Sequence, residues 1–123
     1  MKYYSEEHQW VEIEGDSGKV GITRFAADEL GELSYVELPK VGSSYKQGEP
    51  LCVVESVKAA SDVFMPVSGK IVEVNTELET TPELMNDEPE GAGWICVITD
   101  LIPDELEKLM DGEKYQAFLE KSK

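Results

Sequence analysis

Apolar and polar residues alternate over residues 10–14 and again over residues 19–23, with the turn-forming sequence Gly-Asp-Ser-Gly between them. This alternation is typical of strands that bury one face, so the two segments predict a β-hairpin. Thr23 can accept a backbone hydrogen bond at a helix start, and Gly31 suits the left-handed conformation that often ends a helix. The sequence therefore predicts a short helix over residues 24–30, directly after the hairpin.

Gly, Pro and Ser divide much of the remaining chain into short apolar segments. We predict further strands over residues 33–38, 51–55, 60–65, 70–75 and 94–99. A tight turn at residues 56–59 would join the second and third of these strands, and residues 41–49 are predicted to be a polar loop. Thr81 followed by Pro82 is typical of a helix start, with the threonine as N-cap, so we predict a single helical turn over residues 83–86.

The C-terminal region carries apolar residues at helical spacing. This spacing predicts two short helices within about residues 103–121, separated at Gly112. With about seven short strands and little other helix, the pattern favours a mainly β fold, either a small sandwich or a flattened barrel. A chain of 123 residues has room for one domain, residues 1–123, burying roughly two thirds of its unfolded surface.

The chain is strongly acidic. It has 11 basic and 26 acidic side chains, a net charge of -15, and the acidic residues run through its whole length. Such a surface repels nucleic acid and anionic lipid, so neither is predicted as a partner. Solubility explains most of these charges, and the alternative is steering toward basic patches on partner proteins, which would weaken as salt rises.

The chain start and the cysteines point to an ordinary cytoplasmic protein. No segment reaches the ~18 apolar residues of a membrane span, and the first residues lack the apolar stretch of a secretory leader. Cys52 and Cys96 lie in apolar segments and are interpreted as core residues, with a disulfide as the alternative; their spacing does not match a metal site. His8, the only histidine, is interpreted as a structural group beside Trp10.

Lys58 is placed at the midpoint of the predicted turn between two strands. Its neighbours Val57, Ala59 and Ala60 are compact, so the amine would be exposed enough for an enzyme to acylate and rigid enough to be recognised. An ordinary solvated lysine is the alternative. The many carboxylates could form an acid/base pair by chance, but no nucleophile or phosphate-binding loop accompanies them. We therefore predict that the chain is not itself a catalyst.

The sequence around Lys58 resembles a known family. Residues 54–59, Val-Glu-Ser-Val-Lys-Ala, lie between Gly48 and Gly69 and precede Pro-Val-Ser-Gly at residues 66–69, an arrangement similar to the lipoylation hairpin of the glycine cleavage H protein family. Similar segments occur at residues 8–11, 20–23, 36–39, 72–75, 82–84 and 93–94. The resemblance extends from about residue 4 to residue 119 and implies a lipoyl/biotinyl-like barrel-sandwich hybrid fold with a hairpin at about residues 48–69.

Two related carrier families fit less well. Biotin carriers normally place methionine on both sides of the modified lysine, whereas Val57 and Ala59 flank Lys58 here. Lipoyl domains of 2-oxoacid dehydrogenases are typically shorter and continue into linkers rich in Pro and Ala. This sequence has neither the flanking methionines of the biotin carriers nor the Pro/Ala-rich linker of the dehydrogenase lipoyl domains.

The resemblance implies that Lys58 is joined to lipoic acid through an amide by a lipoate-attaching enzyme. The chain would take an aminomethyl group from a pyridoxal-phosphate glycine decarboxylase and deliver it to a tetrahydrofolate-dependent aminomethyltransferase. Electrons would then pass to dihydrolipoyl dehydrogenase, a flavin (FAD) enzyme. The redox chemistry belongs to the cofactor, and a monomer is expected for such an acidic shuttle.

Roles for other residues are carried over from the same resemblance. Glu55 would help the lipoylating enzyme recognise the hairpin, and Gly69 would keep the base of the hairpin compact. Asp62 would face the ammonium end of a loaded arm in a surface cleft. Gln9 stands where the family often has glutamate, so the loaded arm is expected to lose its group to water faster than in a Gln9→Glu variant, unless Glu7 or Glu12 substitutes.

Two other functions remain open at this point. The same hairpin would serve a related carrier that relays octanoyl or lipoyl groups to other proteins. An unmodified interaction module could also keep the fold without the cofactor. The mass of the intact protein from a host that attaches lipoate would distinguish the unmodified module from the two carriers.

Overall fold

The computed structural model describes residues 1–121, and its secondary structure is mainly strand. The strands are β1 (Lys2–Tyr4), β2 (Gln9–Glu14), β3 (Ser17–Ile22), β4 (Leu33–Glu37), β5 (Ser44–Tyr45), β6 (Pro50–Ser56), β7 (Ala60–Phe64), β8 (Gly69–Val74) and β9 (Cys96–Thr99). The helices are α1 (Arg24–Leu30), α2 (Glu77–Thr80), α3 (Leu84–Asp87), a 3-10 helix (Pro103–Lys108) and α4 (Gly112–Lys121).

The strands form two antiparallel sheets. One sheet has six strands in the order β1-β2-β3-β9-β8-β5, and the other has three in the order β4-β6-β7. Both predicted hairpins are present: Glu14 pairs with Ser17 in the first, and Glu55 pairs with Ala60 in the second. The mainly β prediction with short helices is therefore confirmed.

Two strands were not predicted. The β1 strand at Lys2–Tyr4 and the β5 strand at Ser44–Tyr45 are short and half-exposed, and the second lies inside the predicted loop. Each is defined by its partner, because β1 pairs with β2 and β5 pairs with β8. The predicted number of strands was too small for this reason.

The core lies between the sheets and is made of aliphatic side chains from both. Val11, Val20 and Ile98 of the larger sheet and Val54 of the smaller one are fully buried. Burial of each such side chain contributes about 1.5–3 kcal/mol. Residues of α1, α2 and α3 also enter this cluster, so the helices cover the core as well as connecting strands.

The two cysteines lie in this core as free thiols. Cys52 is 7% exposed and Cys96 is fully buried. Their interpretation as core residues is confirmed, and the disulfide alternative is wrong. The pKa of the Cys52 thiol is raised to about 12, mainly because the thiol is buried. Burial raises the pKa of the Cys96 thiol as well.

The predicted helix after the first hairpin is confirmed. The Thr23 hydroxyl accepts a hydrogen bond from the Ala26 N–H at 3.2 Å, and Gly31 has φ 79° and donates to the Ala27 carbonyl. The prediction at Thr81 is partly wrong. Its side chain does not cap α3, which begins at Leu84, and the Thr81 carbonyl instead accepts the Leu84 N–H.

The C-terminal region contains the expected helices with two corrections. The first is a 3-10 helix, and Gly112 is the first residue of α4 rather than a separator. Between them, Tyr4 and Met110 exchange backbone hydrogen bonds of 2.7 and 2.8 Å, which joins the C-terminal region to β1. Among the described residues, no helix is long and apolar enough to cross a membrane.

Candidate functional site

Lys58 is presented by a four-residue turn between β6 and β7. The Ser56 N–H donates to the Ala59 carbonyl at 2.9 Å, which closes the turn. The Ser56 hydroxyl accepts from the backbone N–H groups of Lys58 and Ala59 at 3.2 and 3.3 Å. Neither Val57 nor Lys58 has a positive φ, so the turn is held in an unstrained shape that does not require glycine.

The Lys58 amine has no protein partner in the part of the chain that the structure describes. Among residues 1–121, its Nζ forms no hydrogen bond or ion pair, and the residue is exposed. The side chain lies beside Gly31 at the end of α1, with Cε 3.7 Å and Nζ 3.9 Å from where a Gly31 Cβ would be. The amine is therefore available for acylation, and an arm attached to it would begin beside the end of α1.

The segment behind the turn is fixed by Asn86. Its side-chain NH2 donates to the Gly31 carbonyl at 2.7 Å, and its side-chain oxygen accepts from the Leu33 N–H at 2.9 Å. The Glu32 carbonyl between them accepts from the Val57 N–H at 3.4 Å. The end of α1 and the lysine turn are thus held together through this connection.

A cleft of about 170 Å³ lies beside the lysine turn. Its walls come from β2, β3, α1, β6 and β7 and from the residues before β2. The lining is Glu7, His8, Gln9, Ile22, Phe25, Ala26, Glu29, Leu30, Val54, Ser61, Asp62 and Val63. Apolar walls combined with a few carboxylates suit a flexible apolar chain that ends in a positive charge.

Gln9 lies deep in this cleft and is fully engaged by its neighbours. It is 3% exposed. Its side-chain oxygen accepts from the Ser5 hydroxyl at 2.6 Å, and its side-chain nitrogen donates to the Glu7 carbonyl at 2.8 Å. Gln9 therefore forms part of the cleft wall, with its amide group fixed in one orientation.

The candidate acidic residues are not all in one place. Glu7 and Asp62 line the cleft with Gln9. Glu12 does not, because it pairs with Lys19 across the first hairpin and lines a separate depression with Glu14. Glu12 is therefore not placed to substitute for Gln9.

The remaining candidates lie on the hairpin and just after it. Glu55 is exposed and occupies the last pair before the turn, opposite Ala60. Gly69 lies at the start of β8, where the chain enters the larger sheet. A Cβ there would come within 3.0 Å of both the Ile98 side chain and the Thr99 carbonyl oxygen, so a side chain would force β8 and β9 apart.

His8 has the packed surroundings expected of a structural histidine, and it also lines the cleft. Its Nδ1 lies 2.8 Å from the Tyr115 hydroxyl, which in turn lies 2.8 Å from the Thr23 hydroxyl. The ring centroid is 4.5 Å from that of Phe25. Desolvation is the main cause that lowers the pKa of His8, and the charges of Glu7 and Glu29 act in the opposite direction.

Two site residues were not identified from the sequence. Ser56 lies two residues before Lys58, a spacing at which a serine often hydrogen-bonds the backbone of a turn. Glu29 lines the cleft from α1, and its spacing of four residues from Phe25 would have placed both on one helix face. The role of Ser56 could have been inferred from this local spacing, whereas that of Glu29 also required the placement of α1 against the cleft.

Comparison with known proteins gives a consistent result. The family model described as Glycine cleavage H-protein matches residues 2–122. The chain is 54% identical over 115 residues to the glycine cleavage system H protein of Symbiobacterium thermophilum, covering 94% of this chain and 90% of that protein. It is 51% identical over 118 residues to the glycine cleavage system H protein of Thermotoga maritima, covering 96% of this chain and 95% of that protein.

A solved structure agrees with these sequence matches. The crystal structure of a glycine cleavage system H protein from Mycobacterium marinum superposes with a TM-score of 0.84 at 36% identity, covering 94% of both chains. The two sheets and the lysine turn define a carrier protein of the lipoyl-domain type rather than a catalyst. Within that class, the chain belongs to the glycine cleavage H-protein family.

Proposed function

We propose that Lys58 carries a lipoyl group in amide linkage and that the chain shuttles the aminomethyl group of glycine within the glycine cleavage system. The donor would be a pyridoxal-phosphate glycine decarboxylase and the acceptor a tetrahydrofolate-dependent aminomethyltransferase. Electrons would pass to the flavin of dihydrolipoyl dehydrogenase. The observation that supports this most directly is the Lys58 amine, which has no partner among residues 1–121. It lies on a hydrogen-bonded turn beside an apolar cleft with acidic residues in its lining.

The residues present fit a lipoyl group. The amine is exposed, and the adjacent apolar walls can receive a hydrocarbon arm. When attached, this group would supply a disulfide able to accept the one-carbon cargo and two electrons. Acylation also removes the lysine charge, so the arm would enter the cleft without bringing an ammonium group at its base.

The chain itself would position and shield the arm. Ser56 fixes the turn, and Asn86 fixes the segment against which the turn lies. Phe25 and Leu30 contribute apolar side chains to the cleft wall, and Asp62 would provide a negative charge for a cationic cargo. Tethering the cargo gives it a high local concentration at each partner enzyme.

The surface charge supports transient docking to partners with basic surfaces. The net charge of -15 would accelerate such encounters, and the acceleration would decline as salt rises. Glu55 lies one pair below the turn, where a lipoate-attaching enzyme reaching Lys58 would meet it. The monomeric state and the cytoplasmic location stay predictions.

A Lys58→Arg variant tests the proposal. Arginine keeps the charge and suits the same turn but cannot be acylated by this chemistry, so we expect an intact fold, no lipoyl mass and complete loss of glycine-bicarbonate exchange with the decarboxylase. Lys46→Arg, in the loop before β6, is the matched control and should keep both. Exchange by the Lys58→Arg protein at the parent rate would refute the proposal. A parent protein that stays unmodified despite an active ligase would favour an unmodified interaction module.

A further inference from the structure

The cleft raises a question about charge. If a cationic cargo is held there, the wall opposite Asp62 should also carry a negative group. Gln9 on that wall is neutral, and both ends of its amide are already bonded to Ser5 and Glu7. A second negative charge in this cleft would therefore come from Glu7 or Glu29, the other acidic residues of its lining.

We propose that Glu29, on the last turn of α1, binds the ammonium end of the loaded arm together with Asp62. This inference rests on the proposed function and assigns to Glu29 the charge that Gln9 lacks. Glu29 and Asp62 both line this cleft, and both residues are exposed. Asp62 also borders a second depression beside Cys52, whereas Glu29 does not. They approach the cleft from different elements, α1 and β7.

The position of Glu29 follows from the face of α1 that forms the cleft wall. Phe25, Ala26, Glu29 and Leu30 all line the cleft, which is the spacing of one side of a helix. Asp28 is absent from this lining and instead lies 3.5 Å from the Arg24 guanidinium. Glu29 is thus the carboxylate of α1 that faces the cleft.

The ends of α1 are fixed by contacts with other parts of the chain. The Arg24 N–H at its start donates to the Glu90 carboxylate at 3.0 Å, and Asn86 holds the Gly31 carbonyl at its end. Glu29 therefore projects from an anchored support. Its charge also acts on His8, whose ring packs against Phe25 of the same helix.

The path of the arm favours Glu29 over Glu7. The Lys58 side chain already lies beside Gly31, two residues after Glu29, so an arm that follows α1 into the cleft would pass Glu29. Glu7 also lines the cleft, but it comes from the β1–β2 connection and not from the helix whose end the Lys58 side chain lies beside. Glu29 is therefore the cleft-lining acidic residue on the helix that the Lys58 side chain already approaches.

The test uses full-length protein whose lipoyl group has been verified by intact mass. The arm is reduced with a phosphine and loaded with 13C-formaldehyde and ammonium. In loading, one thiol, formaldehyde and ammonium give a sulfur-bound aminomethyl group and water, with new C–S and C–N bonds and no change of redox state. Loss of the cargo to water is the reverse reaction. The decarboxylase is not needed, so the result is independent of that partner.

We measure formaldehyde release, the change in melting temperature on loading and the 13C shift of the methylene. Glu29→Gln should release roughly three to five times faster than the parent, as expected for loss of one partly exposed ion pair. It should also lose most of the thermal gain on loading. Glu32→Gln has the same charge change near the arm but outside the cleft lining, and it should match the parent.

Each outcome discriminates. Salt should accelerate release from the parent and have less effect on Glu29→Gln, because the ion pair is already lost. Parent-like release, melting and 13C shift in Glu29→Gln would overturn the inference, and faster release in Asp62→Asn alone would assign the charge to Asp62 and leave the carrier function standing. Absence of a lipoyl group on Lys58 would instead overturn the proposed function and this inference with it.

Discussion

At the Lys58 end of the cleft, Ser56 bonds the backbone of the turn while the lysine amine has no protein partner among residues 1–121. At the Gln9 end, the side chains themselves are engaged: the Gln9 amide binds Ser5 and Glu7, and His8 contacts Tyr115. At the Lys58 end, the backbone is hydrogen-bonded and the lysine is exposed. At the Gln9 end, the polar side chains themselves form the cleft wall. The comparison indicates that the Lys58 amine is available to react because Ser56, and not the amine, stabilises the turn. The Gln9 amide, in contrast, is already used to hold the cleft wall.

The largest effect on stability is expected when the neutral Gln9 side chain in the cleft wall is replaced by a carboxylate. Gln9→Glu replaces the NH2 that donates to the Glu7 carbonyl with an oxygen, and an ionised carboxylate cannot donate there. We expect a loss of about 2 kcal/mol in the free energy of unfolding at neutral pH. The loss should shrink at low pH, where a protonated acid can donate again. Urea unfolding at pH 7.5 and pH 4.5 measures both values.

Gln116→Glu on the exposed side of α4 is the control for net charge and should change stability by less than about 0.5 kcal/mol. The sequence expectation that Gln9→Glu slows cargo release stays a prediction. Its effect should be smaller than that of Glu29→Gln, because Gln9 is buried within the wall. A Gln9→Glu protein as stable as the parent at neutral pH would contradict the view that the amide is committed to the wall.

A smaller effect is expected from loosening the turn. Ser56→Ala removes the hydroxyl that accepts from the Lys58 and Ala59 N–H groups, which can then bond water because the turn is exposed. We expect a stability loss of at most about 1 kcal/mol, together with slower lipoylation by a lipoate-attaching enzyme. Ser17→Ala is the control, because it removes a hydroxyl that donates a hydrogen bond to the Glu14 carbonyl in the other hairpin. Equal lipoylation rates for both variants would show that Ser56 does not preorganise the site.

The smallest effect concerns pH and His8. Because folding lowers the pKa of His8 below its usual 6.5, the unfolded chain binds a proton first as pH falls. The contribution of His8 to stability is therefore fully present above pH 6.5 and declines as pH falls through the lower folded value. His8→Asn, which tolerates the positive φ of 68° at this position, should flatten the change in unfolding free energy between pH 7.5 and pH 5.5. An unchanged slope in that variant would assign the pH dependence to other groups.

Local chemistry made much of the fold predictable. Thr23 and Gly31 marked both ends of α1, and alternation located the two hairpins. The strands β1 and β5 were missed because two or three polar or half-exposed residues have no periodicity of their own. Their extended shape comes from partners that are distant in sequence, as in the pairing of Tyr45 with Gly69.

The site was predictable to a similar degree. The resemblance identified Lys58, Asp62 and Gln9, and the structure places the last two in one cleft beside the turn. Glu12 could have been excluded earlier, because it lies three residues after Gln9 on the same strand and an odd spacing puts the two on opposite faces. The importance of Glu29 depended on the tertiary placement of α1, which periodicity alone does not provide.

The burial of both cysteines has a consequence for the proposed attachment of a disulfide-bearing group to Lys58. A thiolate of the chain could attack the ring on its own arm and trap it as an internal mixed disulfide. Burial raises the pKa of the Cys52 thiol to about 12 and also raises that of Cys96, so both sulfurs stay protonated at neutral pH. Neither core sulfur would then compete in disulfide exchange, which would be confined to the group proposed on Lys58.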